Sequence, residues 1–566
     1  MNQENEQRIK ARLESVYGAS VTSALLPRVV ALADAWRAKI PPREQGWDAS
    51  SSLLITYGDS ILPPAGSSST PLSTLRDFLD SRVPGLLPFV HLLPFYPYTS
   101  DDGFAVSDFR AVRPDLGSWA DIESLAESRR IVFDGVINHV SASSPYVVGD
   151  LAGDPRYRDF CIELPPDTDT SSVLRTRNLP LLHDYVGADG RKRWLWTTFS
   201  RDQLDLNYHN PEVLLEILDV ILGYAARGAA MIRLDAIPYL WKELGTSCAH
   251  LPQTHALIKL LRDVLDAAAP HVLLLTETNV PHRENVVYFG DHGDEAQMIY
   301  NFALAPLIVH AIHSGDGTAL TDWASGIKWI GPRATYLNIT ATHDGIGMRP
   351  TEGILDEPTR MAMVEMSKRH GGDVTGKRNA DGSISPYELN LNYFDAVNDP
   401  NADEPLSTQA ARFIVSQAIP MCLMGMPGIY IHSLLGSRND CEGVKRTGRA
   451  RSINRAQLRA DDLARELDDP SSLRATVFGA ITRMLRIRAG QPAFHPDSAQ
   501  EVLRAGAGVF AVRRESRCGQ VVWALHNLAS TAASFAGCPA AWRDLLDGSS
   551  GEGAIPLAPY QVRWII

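Results

Sequence analysis

Apolar residues fall in short unbroken runs along most of the chain, and stretches of helical period separate them. Eight runs have strand length: LLITY (53–57), VHLLPF (90–95), IVFDGVINH (131–139), AAMIRLDAI (229–237), VLLLTET (272–278), MIYNFAL (298–304), TYLNITATHD (335–344) and GIYIHSLLG (428–436). Between them, PEVLLEILDVILGYAARG places Val213, Leu214, Ile217, Leu218, Ile221 and Leu222 on one helix face. Strands apolar on both faces, alternating with amphipathic helices, imply a buried parallel sheet. Eight of them predict an α/β fold, a (β/α)8 TIM barrel, with an open doubly wound sheet as the alternative. The barrel is expected over 51–139 and 206–490, preceded by an N-terminal helical segment at 1–50 that breaks at Pro41 and Pro42. Two intervals are too long for simple crossovers: an inserted domain at 140–205 and an acceptor-loop insertion at 346–405. Both follow strand C-termini, the barrel face that carries active sites. From 491 to 566 the pattern turns to alternating strands with Gly turns, as in EVLRAGAGVFAVRRES and YQVRWII, which predicts a C-terminal all-β domain.

Charge narrows the partners. The 566 residues carry 54 Lys plus Arg against 66 Asp plus Glu, a net charge of −12. A chain with that excess of carboxylates is not expected to bind nucleic acid or a membrane surface electrostatically. Six scattered cysteines, Cys161, Cys248, Cys422, Cys441, Cys518 and Cys538, include no CxxC pair. They predict free thiols in a reducing, cytoplasmic setting, with no zinc site. The N-terminus lacks the apolar core of a secretory signal, and no continuous run of about 18 apolar residues reads as a membrane span.

Ionisable residues cluster where the apolar runs stop. MIRLDAIPY ends on Arg233 and Asp235, two apart and therefore on one side of a strand. An Arg beside an Asp is expected to keep its carboxylate ionised, which suits a nucleophile. LLLTETN ends on Glu277 after a run of leucines, surroundings that favour a proton-holding acid. TATHDGIG supplies His343 and Asp344, and FDGVINH supplies Asp134, Asn138 and His139. One Asp at a strand end reads as a turn or cap. Three carboxylates on three strands, one escorted by Arg and one by His, read as a glycoside-cleaving site.

DGVINH, IRLDA, LTETN and ATHDG resemble, in order and strand placement, the four short conserved regions of the α-amylase superfamily of retaining α-glucan enzymes. The resemblance implies Asp235 as nucleophile, Glu277 as acid/base and Asp344 as transition-state stabiliser. It also implies that Arg233 holds Asp235, and that His139 and His343 bond sugar hydroxyls. VHLLPFYPYTSDDGFAVSDF, WTTFSRDQLDLNY and GRARSINR are similar to the sucrose-phosphorylase-like branch, and LWKELGTSCAHLPQTH with TETNVPHRENVVYFG to its glucosylglycerate phosphorylases. By that resemblance Asp101 and Arg455, with Gln203, clamp the far glucose hydroxyls, Phe104 and Phe199 wall the ring, and Tyr239 borders the acceptor subsite. No cofactor is implied. Some amylases hold calcium near the Asn equivalent to Asn138, but residues 140–205 offer no further ligand cluster, so no metal is expected.

A phosphorylase needs local cations for phosphate and an acid acceptor. Arg177 in LRTRNLP and Arg349 in GMRPTEG are the candidates, with Lys242 a third. Arg177 leads because its segment resembles the branch's phosphate-binding stretch. GMRPTEGIL and SPYELN depart from the acceptor loop of sucrose phosphorylases, which points away from sucrose. The expected reaction is reversible phosphorolysis of an α-glucoside, foremost glucosylglycerate, to α-glucose 1-phosphate and D-glycerate. Sucrose or sucrose 6'-phosphate phosphorolysis, an α-glucosidase or transglucosidase, and a non-catalytic binding barrel stand as alternatives. The expected partners are the glucoside and inorganic phosphate, with the chain a monomer or homodimer.

Overall fold

In the computed structural model, eight parallel strands close into a barrel. They are β1 (Leu53–Thr56), β2 (Phe89–Leu92), β3 (Arg130–Gly135), β4 (Ala229–Leu234), β5 (Leu273–Thr276), β6 (Met298–Tyr300), β7 (Thr335–Ile339) and β8 (Met426–Tyr430). Each arises from one of the eight apolar runs. The structure describes residues 1–566 except Gln45, Thr176, Asn178, Ala380, Asp381, Gly382 and Cys538, and the side chain of Arg378. Neighbouring strands pair in sequence order, and β1 pairs with β8 to close the ring. Burial on both faces explains why the runs are unbroken: Leu53, Leu54 and Ile55 have no exposed surface, and neither have Leu274 and Leu275.

Helix α1 (Gln3–Arg37) packs along the outside of the barrel through Ile9, Leu13, Leu25, Val29 and Ala33, and is interrupted at Gly18 (φ 77°, ψ 164°). By length and composition it is long and apolar enough to cross a bilayer, although the sequence has no unbroken apolar run there. Its apolar content is spread among Thr22, Ser23 and Arg28, and one face lies on the protein.

Segment 140–205 carries the helix Pro145–Ala152, the pair Leu182–Val186 with Lys192–Trp196, and strand Gln203–Asp205, which returns against His139–Ser141. Segment 346–405 is more regular than its Gly, Asn and Asp content predicts. It holds helix Glu357–Arg369 and a sheet in which Ile384–Asn390 lies between Ile346–Gly347 and Asp373–Arg378. The chain ends in a four-stranded antiparallel sheet, Ala499–Arg504, Val509–Glu515, Val521–Asn527 and Val562–Ile565, with two further strand pairs. Two buried arginines tie this end to the barrel. Arg488 donates to the carbonyls of Met421, Ser51 and Phe494, and Arg514 to those of Cys422 and His495. Cys161, Cys248, Cys422, Cys441 and Cys518 are free thiols, the first three buried, and Cys538 lies outside the described residues.

Candidate active site

Strand register brings the first two carboxylates together. The last residues of β4 and β5, Leu234 and Thr276, pair with each other, and the next residue of each segment is Asp235 and Glu277. Adjacent strands lie about 4.8 Å apart, so both side chains rise from neighbouring staves at the barrel mouth. Asp235 N–H still bonds the Gly135 carbonyl at 3.1 Å, and Glu277 N–H the Leu234 carbonyl at 3.1 Å, which fixes both backbones to the barrel. Ala236 then turns left-handed (φ 48°, ψ 33°), a costly conformation for a residue with a Cβ. The turn aims the Ala236 N–H at Glu277 Oε2, 3.1 Å away. Asp344 arrives from the end of β7. After it, Gly345 is required by close approach: a Cβ there would lie 2.7 Å from the Leu389 carbonyl.

The three carboxylates line one pocket. In its wall Asp101, also left-handed (φ 54°), accepts a bond from Gln203 Nε2 at 3.1 Å. His139 Nε2 lies 3.0 Å from the Phe104 carbonyl, and the Phe104 ring stacks on His343 at 4.9 Å and 7°. Phe199 stands against His139 and, edge-on, against Tyr239. All of these line the pocket, as does Arg177, whose guanidinium sits 5.8 Å from the Phe199 ring and 5.6 Å from the Tyr387 ring. The result is a pocket of polar groups with aromatic walls and a cation against two of its rings. It can hold a sugar ring and present two carboxyl groups to one glycosidic bond.

The electrostatics correct one expectation. Arg233 bonds Asp235 Oδ1 at 3.0 Å, but it also pairs with buried Asp134, so its single charge is divided. Burial therefore dominates, helped by the neighbouring charge of Glu277, and the Asp235 carboxyl is pushed well above the usual range instead of below it. Glu277 is raised too, by burial and by the charge of Asp344, as a proton-holding acid requires. Asp344 goes the other way. Arg451 (2.7 Å), Arg455 (3.6 Å) and His343 (3.6 Å) surround it, and it stays ionised well below the ordinary aspartate range. Burial keeps His139 and His343 neutral near pH 7, as donors or acceptors without charge.

Comparison with known proteins agrees with this geometry. The pattern of the α-amylase catalytic domain matches residues 88–327. Over 563 residues the chain is 45% identical to the glucosylglycerate phosphorylase of Allomeiothermus silvanus, covering 100% of this chain and 99% of that one. The chain belongs to the α-amylase family. It is 30% identical to the sucrose phosphorylase of Agrobacterium vitis over 79% of its length and 89% of the relative's. Its fold superposes on the crystal structure of sucrose 6F-phosphate phosphorylase from Thermoanaerobacter thermosaccharolyticum with a TM-score of 0.73, at 24% identity, over 85% of this chain and 94% of that one.

Arg233 holds Asp235, as expected, without lining the pocket itself. Three expected positions in this α-amylase-family chain differ in the structure. Arg455 does not line the pocket or meet Asp101. Its Nε donates to the His343 carbonyl at 2.7 Å and its Nη1 pairs with Asp102 at 2.6 Å, because Asp101 turns inward while Asp102 turns away toward Arg455 and Arg449. Lys242 is buried on Asp205 (2.6 Å) and Asn138 (2.8 Å), so that the cation held by this Asn–Asp pair is its own ammonium and none is left for an acceptor. No group of three or more metal-ligating side chains occurs among the described residues. Arg349 also lies off the pocket wall, ion-paired with Glu284 at 3.3 Å, yet close enough to bear on the Tyr239 phenol.

Three pocket residues with ionisable side chains escaped the sequence reading: Arg451, Tyr387 and Glu388. Arg451 sits four residues before Arg455 in the same GRARSINR segment, and only the short helix Ala450–Asn454 decides which arginine faces in. Tyr387 and Glu388 are consecutive in a strand and should point to opposite faces. The ladder skips Tyr387, however: Thr375 pairs with Glu388 and Gly376 with Pro386. This bulge turns both side chains into one pocket. SPYELN carries no residue pattern that announces it.

Proposed function

We propose that this protein is a retaining glycoside phosphorylase that cleaves glucosylglycerate with phosphate. The observation that carries the reading is one pocket lined together by Asp235, Glu277, Asp344 and Arg177. Full-length similarity to a protein named glucosylglycerate phosphorylase supports the substrate. In the first half-reaction Asp235 attacks the anomeric carbon. The glycosidic C–O bond breaks, its electron pair goes to glycerate, and Glu277 gives that oxygen its proton. In the second, a phosphate oxygen attacks the same carbon, the ester electrons return to Asp235, and Glu277 regains a proton. Two inversions restore the α configuration. Asp344, ionised, balances the positive charge that builds on the ring. Asp101, Gln203, His139 and His343 take the glucose hydroxyls, between Phe104 and Phe199. Arg455 supports this end through Asp102 and the His343 carbonyl.

Phosphate and glycerate are both anions received at the same end, where Arg177 offers a planar fork. Arg349 adds a more distant positive charge, partly offset by Glu284. Free thiols at five described cysteines suit a reducing cytoplasm. Arg177→Ala is expected to raise the phosphate concentration for half-saturation by about 10- to 100-fold, the worth of one or two charge-assisted bonds. Formation of the glucosyl-enzyme, followed by rapid quench without phosphate, should change by less than about threefold.

The deciding assay supplies glucose 1-phosphate with D-glycerate, fructose, fructose 6-phosphate or glycerol and follows phosphate release. D-Glycerate should be the preferred acceptor. Preference for fructose or its phosphate would replace the substrate assignment. Glucose release that ignores phosphate would mark an α-glucosidase.

A further inference from the structure

Two arginines line the pocket among the described residues, Arg177 and Arg451. Both are forks suited to an anion. Arg177 lies against the Phe199 and Tyr387 rings, while Arg451 Nη1 holds Asp344 at 2.7 Å. Asp344 needs that cation to remain ionised. Two substrates of the proposed reaction are anions, however, and an arginine facing the glucose subsite is a second place for them to sit. Its other edge is covered. Nη2 reaches Glu388 Oε1 at 2.7 Å and Oε2 at 2.9 Å, and Nε reaches Oε2 at 3.3 Å. Glu388 itself is 2% exposed, and a carboxylate is buried to that degree only when it is paired. It is delivered by the insertion: Glu388 pairs with Gly347, three residues after Asp344, at the bulge that also turns Tyr387 inward.

We propose that Glu388 is a specificity-determining residue that cancels Arg451 as an anion site, so that phosphate and the acceptor carboxylate are excluded from the glucose subsite. The inference rests on the phosphorylase reading for its purpose, while the contacts that carry it do not. With both edges of the guanidinium occupied by carboxylates, Arg451 serves Asp344 and attracts nothing else. Without the Glu388 charge, its Nε–Nη2 edge is open to the pocket and phosphate competes with the glucoside.

The test is kcat/KM for the glucoside as a function of inorganic phosphate. For a double-displacement enzyme this ratio does not depend on the second substrate, so it reads dead-end binding alone. Wild type should show only the shallow decline that phosphate at Arg177 causes by competing with the donor's glycerate. In Glu388→Gln, which keeps the shape and loses the charge, the ratio should fall about tenfold further at high phosphate, with kcat extrapolated to saturating glucoside much less affected. Glu388→Asp retains the charge one methylene short and should fall between the two. A phosphate dependence in Glu388→Gln no steeper than in wild type overturns the proposal. If a melting curve shows that variant unfolded, Glu388→Asp decides in the same way, with a wild-type dependence again overturning it. Should wild type release glucose and no glucose 1-phosphate, the phosphorylase reading fails, and phosphate inhibition of glucose release in the Glu388 variants still decides the role of Glu388.

Discussion

Asp235→Ala is expected to lose about 10⁴-fold or more in turnover, because no side chain remains to form the covalent intermediate. The loss should be chemical and not structural. Arg233 keeps its contact with Asp134, and the backbone bond from residue 235 to Gly135 is unaffected by the side chain. Stability should hold or rise. The Asp235 carboxyl is raised by burial in the folded state, so at neutral pH, above its unfolded value, its ionised form costs folding free energy. Removing it removes that cost, and the advantage should shrink as the pH falls and the wild-type carboxyl takes up its proton. Thermal melts at pH 5 and pH 8 alongside a quenched single-turnover assay check both parts. A stable variant that still accumulates glucosyl-enzyme would take the nucleophile's role away from Asp235.

Glu277→Gln should lower turnover of glucosylglycerate by about 10²- to 10⁴-fold, the usual contribution of a positioned acid. The amide can still accept the Ala236 N–H, so the geometry is retained while the proton is lost. A donor whose leaving group needs no proton, such as α-glucosyl fluoride, should fall by about tenfold at most in its first half-reaction. The pH profile supplies a second signature. Asp235 must be ionised and Glu277 protonated, and both carboxyls are raised, so the wild-type bell lies above the ordinary carboxylate range on both limbs. The alkaline limb should vanish in the Gln variant and the acid limb should stay. Retention of both limbs would assign the proton to another group.

The same residues indicate how far a chain of this kind can be read without coordinates. Each of the eight apolar runs became a barrel strand, because a strand buried on both faces has no polar alternative to offer. The carboxylates that end those strands were legible for a related reason: an ionisable group directly after a buried run must stand at the rim. Arg233 was located beside Asp235 by its spacing of two. Its effect was not, since Asp134 claims part of its charge from another strand.

Sequence alone thus determined the barrel and singled out the three carboxylates that the structure brings into one pocket. Those features follow from local periodicity and from where each strand stops. Tertiary structure decided what surrounds them: that Arg451 and not Arg455 enters the pocket, that Lys242 is committed to Asp205, and that Tyr387 and Glu388 face the same way. Each of these depends on a contact between segments far apart in the chain, or on a one-residue slip in a ladder. A period of two or 3.6 residues contains no information about either.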